Sequence, residues 1–214
     1  MRRIARITAL ATIPLAALAS AARAQLAGIP VYFSPRGGTG VGVAGNLGFP
    51  DNNSGGGTAY GVSGSLGIGP LTISAMGGAW KGTGFGSAQT SFGADVSYRI
   101  FGGGLLPVAL AVQAGYGTVK NPLPVIGGTY STIPVGVGLS LDPPLFPLKP
   151  WIAGRMDFIS GGGSSTSKFR ISGGVNLNVL LGLGVHAAVD YTPSSPSSTI
   201  LGVGVHFNFH VPTM

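Results

Sequence analysis

Apolar and polar residues alternate along most of the chain after residue 25, with interruptions at Gly, Pro, Asn and Ser. From residue 108 to 117, for example, Val, Leu, Val, Ala and Tyr occupy every second position, and Ala, Gln and Gly lie between them. Because successive side chains of a β-strand point to opposite faces, this period of two predicts strands. Residues 25–214 contain no sustained helical period, and no apolar run reaches the 18 residues of a transmembrane helix.

The alternation divides into ten predicted strands, most of them close to the about 9–11 residues of a tilted membrane strand. They span residues 38–49, 58–69, 71–82, 89–101, 108–119, 129–142, 151–161, 168–181, 184–192 and 198–211. The connections 50–57, 120–128, 162–167 and 191–197 are predicted to be long, and 69–70 and 181–184 to be tight. The connection 102–107 is intermediate, and the proline-rich 143–150 is a long exception. Long loops at one end and mostly short turns at the other predict an up-and-down barrel.

The two faces of these strands differ in composition. One face is rich in Val, Leu, Ile and Phe, and the other holds Gly, Ala, Ser and Asn with a few charges. Charged residues make up 8% of the chain, against about 25% in soluble domains. The small, nearly uncharged face therefore suits a lumen better than a solvated surface, and strands in lipid must close to pair their backbone groups. The sequence predicts an all-β fold, a closed antiparallel up-and-down transmembrane β-barrel of ten strands, with eight as the alternative.

The first 24 residues have the three parts of a secretory signal peptide. Arg2, Arg3 and Arg6 form a basic start, residues 7–22 are apolar, and Ala-Arg-Ala at 22–24 fits a cleavage site. We expect a signal peptide over 1–24, a periplasmic segment over 25–37 and the barrel over 38–214. Eight basic and five acidic residues remain after residue 24, giving a net charge of +3. This small excess gives no reason to infer a nucleic-acid partner.

Aromatic residues on the apolar face are predicted near both ends of the strands. The set near the long loops is Phe49, Tyr60, Tyr116, Phe169 and Tyr191, and the set near the opposite rim is Tyr98, Phe207 and Phe209. Two such bands predict an aromatic girdle at each membrane interface. Trp80, Tyr130 and Trp151 fall on the other face by the same alternation, so either bulges return them to the apolar face or the registers differ there.

The basic start with its cleavage site, the alternating Gly-rich strands and the aromatic bands together resemble small Gram-negative outer-membrane β-barrel proteins. The resemblance covers nearly the whole chain after residue 24 and is one of pattern, without a specific motif. It implies a place in the bacterial outer membrane, contact with outer-membrane lipid, and insertion by the barrel-assembly machinery. Members of this class commonly end on an aromatic residue that the machinery reads, whereas this sequence ends in Met214, with Phe207 and Phe209 nearby.

Long polar side chains on the inward face of several strands form a predicted lumen network. Its members are Asp95, Arg99, Gln113, Arg155, Asp157, Lys168, Arg170, Asn176, Asn178, His186, Asp190 and His206. Hairpin registers predict five neighbouring pairs: Asp157 with Arg170, Asn178 with His186, Asn176 with Asp190, His186 with His206, and Asp95 with Gln113. The first two strands offer only small inward residues, so we expect the polar side chains to reach across and fill the space.

Chemistry-bearing motifs are scarce. His186 and Asp190 lie four residues apart on one strand, about 13 Å by the rise per residue, which is too far for a hydrogen bond. We therefore expect no enzyme activity, no metal site and no cofactor. The sequence favours a structural role or that of a limited small-solute pore. The alternatives are a surface interaction module that uses the long loops, and a soluble secreted ligand-binding β-barrel.

Overall fold

A computed structural model shows ten antiparallel strands closed into one barrel, in which each strand pairs with its chain neighbours and β1 pairs with β10. The strands are β1 Gly40–Pro50, β2 Thr58–Ile68, β3 Leu71–Lys81, β4 Gln89–Gly103, β5 Leu106–Lys120, β6 Thr129–Leu141, β7 Leu148–Gly161, β8 Ser164–Leu180, β9 Leu183–Thr192 and β10 Ser198–His210. The prediction of a ten-stranded closed barrel is confirmed, and the eight-stranded alternative is wrong.

The structure describes residues 26–31, 40–84, 86–103, 106–120, 128–143, 146–180 and 182–210. The predicted signal peptide lies outside these residues and stays a prediction. Within the described ranges, no helix has both the length and the apolar character needed to cross a membrane.

The connections segregate to the two ends of the barrel. One end, here the turn end, holds residues 69–70, 142–143, 146–147 and 182, together with the start of β1 and the end of β10. The other, here the loop end, holds 51–57, 82–84, 86–88, 128, 162–163 and 193–197, and most of the predicted connection 120–128 lies outside the described residues. The long loop expected at 162–167 is instead a two-residue turn. Gly162 and Gly163 both have positive φ, at 61° and 79°, as a tight hairpin turn requires.

Large apolar side chains cover the outside of the barrel. Val62 and Phe209 are 67% and 63% exposed, which is the reverse of a soluble fold and fits a surface solvated by lipid. Seven of the predicted girdle residues are exposed on this outer face: Phe49, Tyr60, Tyr98, Tyr116, Phe169, Tyr191 and Phe209. Phe207 is half-buried, with its ring edge-on to Phe209 at 4.5 Å between centroids.

The three aromatic residues with ambiguous faces all point into the barrel. The Trp80 indole donates a hydrogen bond to the Gly56 carbonyl oxygen at 2.9 Å. Trp151 is buried in a cluster with three alanines of β5, β7 and β9. Tyr130 packs against the site that a side chain at Gly161 would need. The inward face that the alternation assigns to these residues is therefore correct at all three positions. Bulges do not return the rings to the lipid face.

Long inward side chains lie over glycines on the neighbouring strand. The pairs are Arg155 over Gly136, Trp151 over Gly174, His186 over Gly204, His206 over Gly184, and Asn208 over Gly42. A Cβ added to any of these glycines would come within 3.0 Å of its partner side chain, closer than real Cβ contacts allow. Much of the unusual glycine content therefore makes room for side chains that fill the lumen.

The first loop is clamped to the start of β10. The Asp51 carboxylate accepts hydrogen bonds from the Ser54 backbone N–H at 2.7 Å and from the Thr199 backbone N–H at 2.8 Å. The Asn53 side chain donates to the Ser197 carbonyl oxygen at 2.8 Å. Burial raises the pKa of the Asp51 carboxyl, but hydrogen bonds from Ser54, Thr199 and Asn53 outweigh this and hold the pKa below its usual 3.8.

We expect Gly174→Ala to destabilise the barrel by about 1–3 kcal/mol, because the new methyl group would overlap the Ala187 carbonyl oxygen and the Trp151 ring. Gly173→Ala is the matched control, since its Cβ would meet only the Trp151 carbonyl oxygen at 3.7 Å. The control should change the free energy of unfolding by less than about 1 kcal/mol. Denaturant unfolding in lipid vesicles measures both values, and equal effects would contradict the packing role of Gly174.

The Asp51 clamp should depend on pH. Because its pKa is lowered in the folded protein, its stabilisation is present above the unfolded-state pKa and is lost as pH falls through the folded-state value. The melting temperature of the wild type should therefore exceed that of Asp51→Asn near pH 7. The difference should shrink between about pH 5 and pH 3. A difference that stays constant over this range would count against the clamp.

Candidate functional site

Residues 26–31 lie inside the barrel, in the loop-end half of the lumen. Leu26 and Ile29 are 4% and 3% exposed and pack with Ala59. A Cβ at Gly61 would collide with Leu26, and one at Gly48 would collide with the backbone of this segment. The glycine-rich wall of β1, β2 and β3 is therefore filled, in this half, by the chain's own segment 26–31, which we call the inner segment.

The inner segment differs from the expected periplasmic segment 25–37 at residues 26–31, whereas residues 25 and 32–37 lie outside the described residues. Over residues 26–31 the chain lies within the barrel, because its apolar side chains are buried against the small inward residues of the wall. Two hydrogen bonds hold it there: the Ala27 N–H donates to the Ser91 hydroxyl at 3.2 Å, and the Val31 N–H donates to the Asp190 carboxylate at 3.3 Å.

A buried charge network crosses the lumen from the wall of β7, β8 and β9. The Arg155 guanidinium donates to both Asp190 carboxylate oxygens, at 2.6 Å and 3.3 Å, and to Asp157 at 3.0 Å. It also donates to the Ser172 hydroxyl. Arg155, Asp157 and Asp190 are 5%, 0% and 1% exposed. This two-pronged pairing with carboxylates is the arrangement that a buried guanidinium requires.

Arg170 completes the charge balance of the network. Its Nε lies 2.8 Å from the second oxygen of Asp157, although the two atoms are not aligned for a hydrogen bond. Arg155 and Arg170 sit opposite each other in the β7–β8 register, and Asp157 lies between the two cations. Two arginines and two aspartates therefore form a neutral cluster.

A chain of polar side chains lies nearer the turn end. His186 and His206 approach through their Nδ1 atoms at 3.1 Å. Their Nε2 atoms lie 2.8 Å from the Asn46 side-chain oxygen and 3.2 Å from that of Asn178, respectively. A hydrogen bond between two Nδ1 atoms needs one donor and one acceptor, so at least one imidazole is neutral in this arrangement.

The structure brings several of the predicted neighbours together. Asp157 meets Arg170, and His186 meets His206. Asp95 is buried and hydrogen-bonded to Gln113, although the register places Gln113 diagonally, since Asp95 lies opposite Gly115. In each of the three pairs the partners lie diagonally, two residues from the directly opposite position, and the side chains span the offset.

The predicted β8–β9 neighbours are displaced. Asn176, not Asn178, lies opposite His186, and Asp190 lies opposite Ser172 instead of near Asn176. The cause is that β9 begins at Leu183 and that the register shifts between Asn178 and Leu180. Asn178 reaches His206 instead.

Two predicted network members take no part in the buried ion pairs, although Lys168 lies opposite Asp157 in the β7–β8 register. Lys168 is exposed near the loop end, and Arg99 is half-buried towards the turn end of β4. Sequence reasoning missed three participants: Ser172, Asn46 and the inner segment. The signal for Asn46 was its inward position as the longest polar side chain of β1.

Arg155→Gln should lower the free energy of unfolding by about 3–5 kcal/mol, because it leaves two buried carboxylates without their cation. Lys149→Gln is the control, since it breaks a more exposed ion pair with Asp142 and should cost less than about 1 kcal/mol. Denaturant titration in lipid vesicles gives both values. Similar small losses for both variants would contradict the central role of Arg155.

Comparisons with known proteins agree with the barrel architecture. No protein-family model and no curated protein matches the sequence. Among solved structures, the β-domain of the Bordetella autotransporter BrkA is similar, with a TM-score of 0.53 and 11% identity, over 80% of this chain and 100% of that one. At this identity the likeness concerns the fold alone.

Two further solved structures have lower TM-scores. The N-terminal β-barrel domain of Pseudomonas aeruginosa OprF has a TM-score of 0.42 and 14% identity, over 81% of this chain and 100% of that one. The translocator domain of the autotransporter NalP from Neisseria meningitidis has a TM-score of 0.41 and 14% identity, over 96% of this chain and 97% of that one. Closure of ten strands, an apolar exterior and the BrkA likeness lead to one conclusion: the chain is a transmembrane β-barrel with the fold of bacterial outer-membrane proteins.

Proposed function

We propose that this protein is an integral protein of the bacterial outer membrane whose lumen is closed, so that its role is structural and not that of a diffusion pore. One observation carries the proposal: the inner segment and the Arg155 network fill the lumen from opposite walls and meet. The Val31 N–H of the inner segment donates to Asp190, which is also the main partner of Arg155. A water-filled path at this level would expose these groups, yet Asp157 and Asp190 are 0% and 1% exposed.

Its outer surface supports a lipid environment over the soluble alternative. A secreted ligand-binding barrel would place polar side chains outside, whereas here the outer face carries exposed Val, Leu, Ile and Phe along all ten strands. We propose outer-membrane lipid as its solvent and the barrel-assembly machinery as its insertion partner, with Phe207 and Phe209 of β10 as the aromatic pair nearest its C-terminal end.

We also propose that the protein is not an enzyme. The one His–Asp combination that the sequence offered is divided between two networks. His186 is engaged by His206 and Asn46, and Asp190 is engaged by Arg155 and the inner segment. The contacts that His186 and Asp190 make therefore belong to two separate networks, and this separation supports a structural role for both residues.

With a closed lumen, the loop end becomes the part of the protein that partners in solution can reach. The clamp between loop 51–57 and β10 holds that loop in one conformation. A surface interaction module is therefore the second candidate function, and it is compatible with the same closed barrel.

The closed-lumen proposal predicts that the protein conducts no ions in a planar lipid bilayer. Folded, heat-modifiable protein that has inserted should give no reproducible conductance steps. The double variant Leu26→Asp and Ile29→Asp should open the barrel, because two charges buried against the apolar wall would expel the inner segment. Conductance steps are then expected along the small-residue wall of β1 to β3.

A control carries the same added charge outside the lumen. The double variant Ser165→Asp and Ser197→Asp places two carboxylates at exposed positions of the loop end. It should show no conductance steps. Regular steps from the wild type would overturn the closed-lumen proposal and favour the small-solute pore. Vesicle flotation confirms insertion of each variant before its currents are compared.

A further inference from the structure

A cavity lies at the loop end of the lumen, above the inner segment. It has a volume of about 310 Å³, and its floor is formed by residues 26–28. Trp80, Tyr130 and Ile159 contribute apolar lining, and Lys168 and Arg170 contribute the charged lining. This volume is at the lower end of the range for small-molecule sites. We call it the vestibule.

The charged side chains that line the vestibule are both cations. The complete sequence contains five acidic residues, all Asp, and the structure describes all five. Asp157 and Asp190 pair with the two arginines, and Asp142 pairs with Lys149 at the turn end. The remaining two, Asp51 and Asp95, are held by the loop clamp and by Gln113 with Ser74. None of the five forms an ion pair with Lys168 among the residues that the structure describes.

Lys168 is the charged group of the vestibule that takes no part in the described ion pairs. Arg155 and Arg170 are paired with Asp157 and Asp190. Lys168 lies two residues before Arg170 on β8, so both point to the lumen, and its side chain is exposed to solvent. The position therefore offers one ammonium group outside these ion pairs, beside aromatic and aliphatic side chains, and this combination suits a single negative charge on an apolar body.

We propose that the vestibule binds a small organic monoanion, with its carboxylate at Lys168 and its apolar body against Trp80 and Tyr130. The Arg170 guanidinium, held by Asp157, also lines the vestibule. Because the inner segment closes the floor, the ligand enters and leaves through the loop end. This site goes beyond the structural role proposed above and does not depend on whether ions pass through the barrel.

Sodium benzoate tests the proposal, with benzamide as its uncharged counterpart of nearly the same shape. Isothermal titration of the folded protein in detergent should give saturable binding of benzoate, and benzamide should bind at least about tenfold more weakly, since a charge-assisted contact is lost. Lys168→Gln should weaken benzoate binding by about tenfold or more and leave benzamide unchanged. Added salt should weaken benzoate binding to the wild type and not to this variant.

Lys120→Gln is the matched control, because it removes the same charge at the same end of the barrel. Lys120 is exposed and is not among the residues that line the vestibule, so its loss should leave benzoate binding at the wild-type level. Heat-modifiable migration on gels shows that each variant is folded. Three results would each overturn the proposal: no saturable benzoate binding, equal binding of benzoate and benzamide, or an unchanged affinity in Lys168→Gln.

Discussion

The buried guanidinium of Arg155 is the group on which the rest of the lumen depends. An arginine that is 5% exposed inside a barrel is tolerated only where anions and hydrogen-bond acceptors surround it. Here two aspartates from β7 and β9 and a serine from β8 converge on it, and the remaining capacity of Asp190 is used by the Val31 backbone N–H. The same contact ties the inner segment to the far wall, so the charge network and the closure of the barrel are one arrangement.

Glycine makes this arrangement fit. Several long inward side chains need space, and the neighbouring strand supplies it with a residue that has no Cβ, as Gly136 does for Arg155 and Gly204 does for His186. On the wall of β1 to β3, glycines admit the backbone and side chains of the inner segment in the same way. A composition that would weaken an ordinary sheet here supports a densely filled lumen. The lipid outside supplies the apolar solvent that the exposed valines and phenylalanines require.

Alternation alone is enough to predict the barrel, because a period of two with one apolar face and one small polar face fits few other structures. It also predicts which polar residues face inward, and it is correct for Trp80 and Trp151, whose inward position was ambiguous. It could not predict the β8–β9 contacts, since a register shift after Asn178 changes which residues lie opposite each other. The inner segment was missed because Leu26, Ile29 and Val31 are too few to establish a period, and their burial depends on glycines distant in sequence.

The position of the inner segment is the claim on which the closed lumen rests, and thiol accessibility tests it most directly. The chain contains no cysteine, so a single Ile29→Cys substitution places one thiol at a position that is 3% exposed. A small charged methanethiosulfonate reagent should fail to label this thiol in the folded barrel and should label it after heat unfolding. Thr58→Cys, at an exposed position of the loop end, should react at once in the folded state. Equal labelling rates at the two positions in the folded barrel would contradict an inner segment packed in a closed lumen.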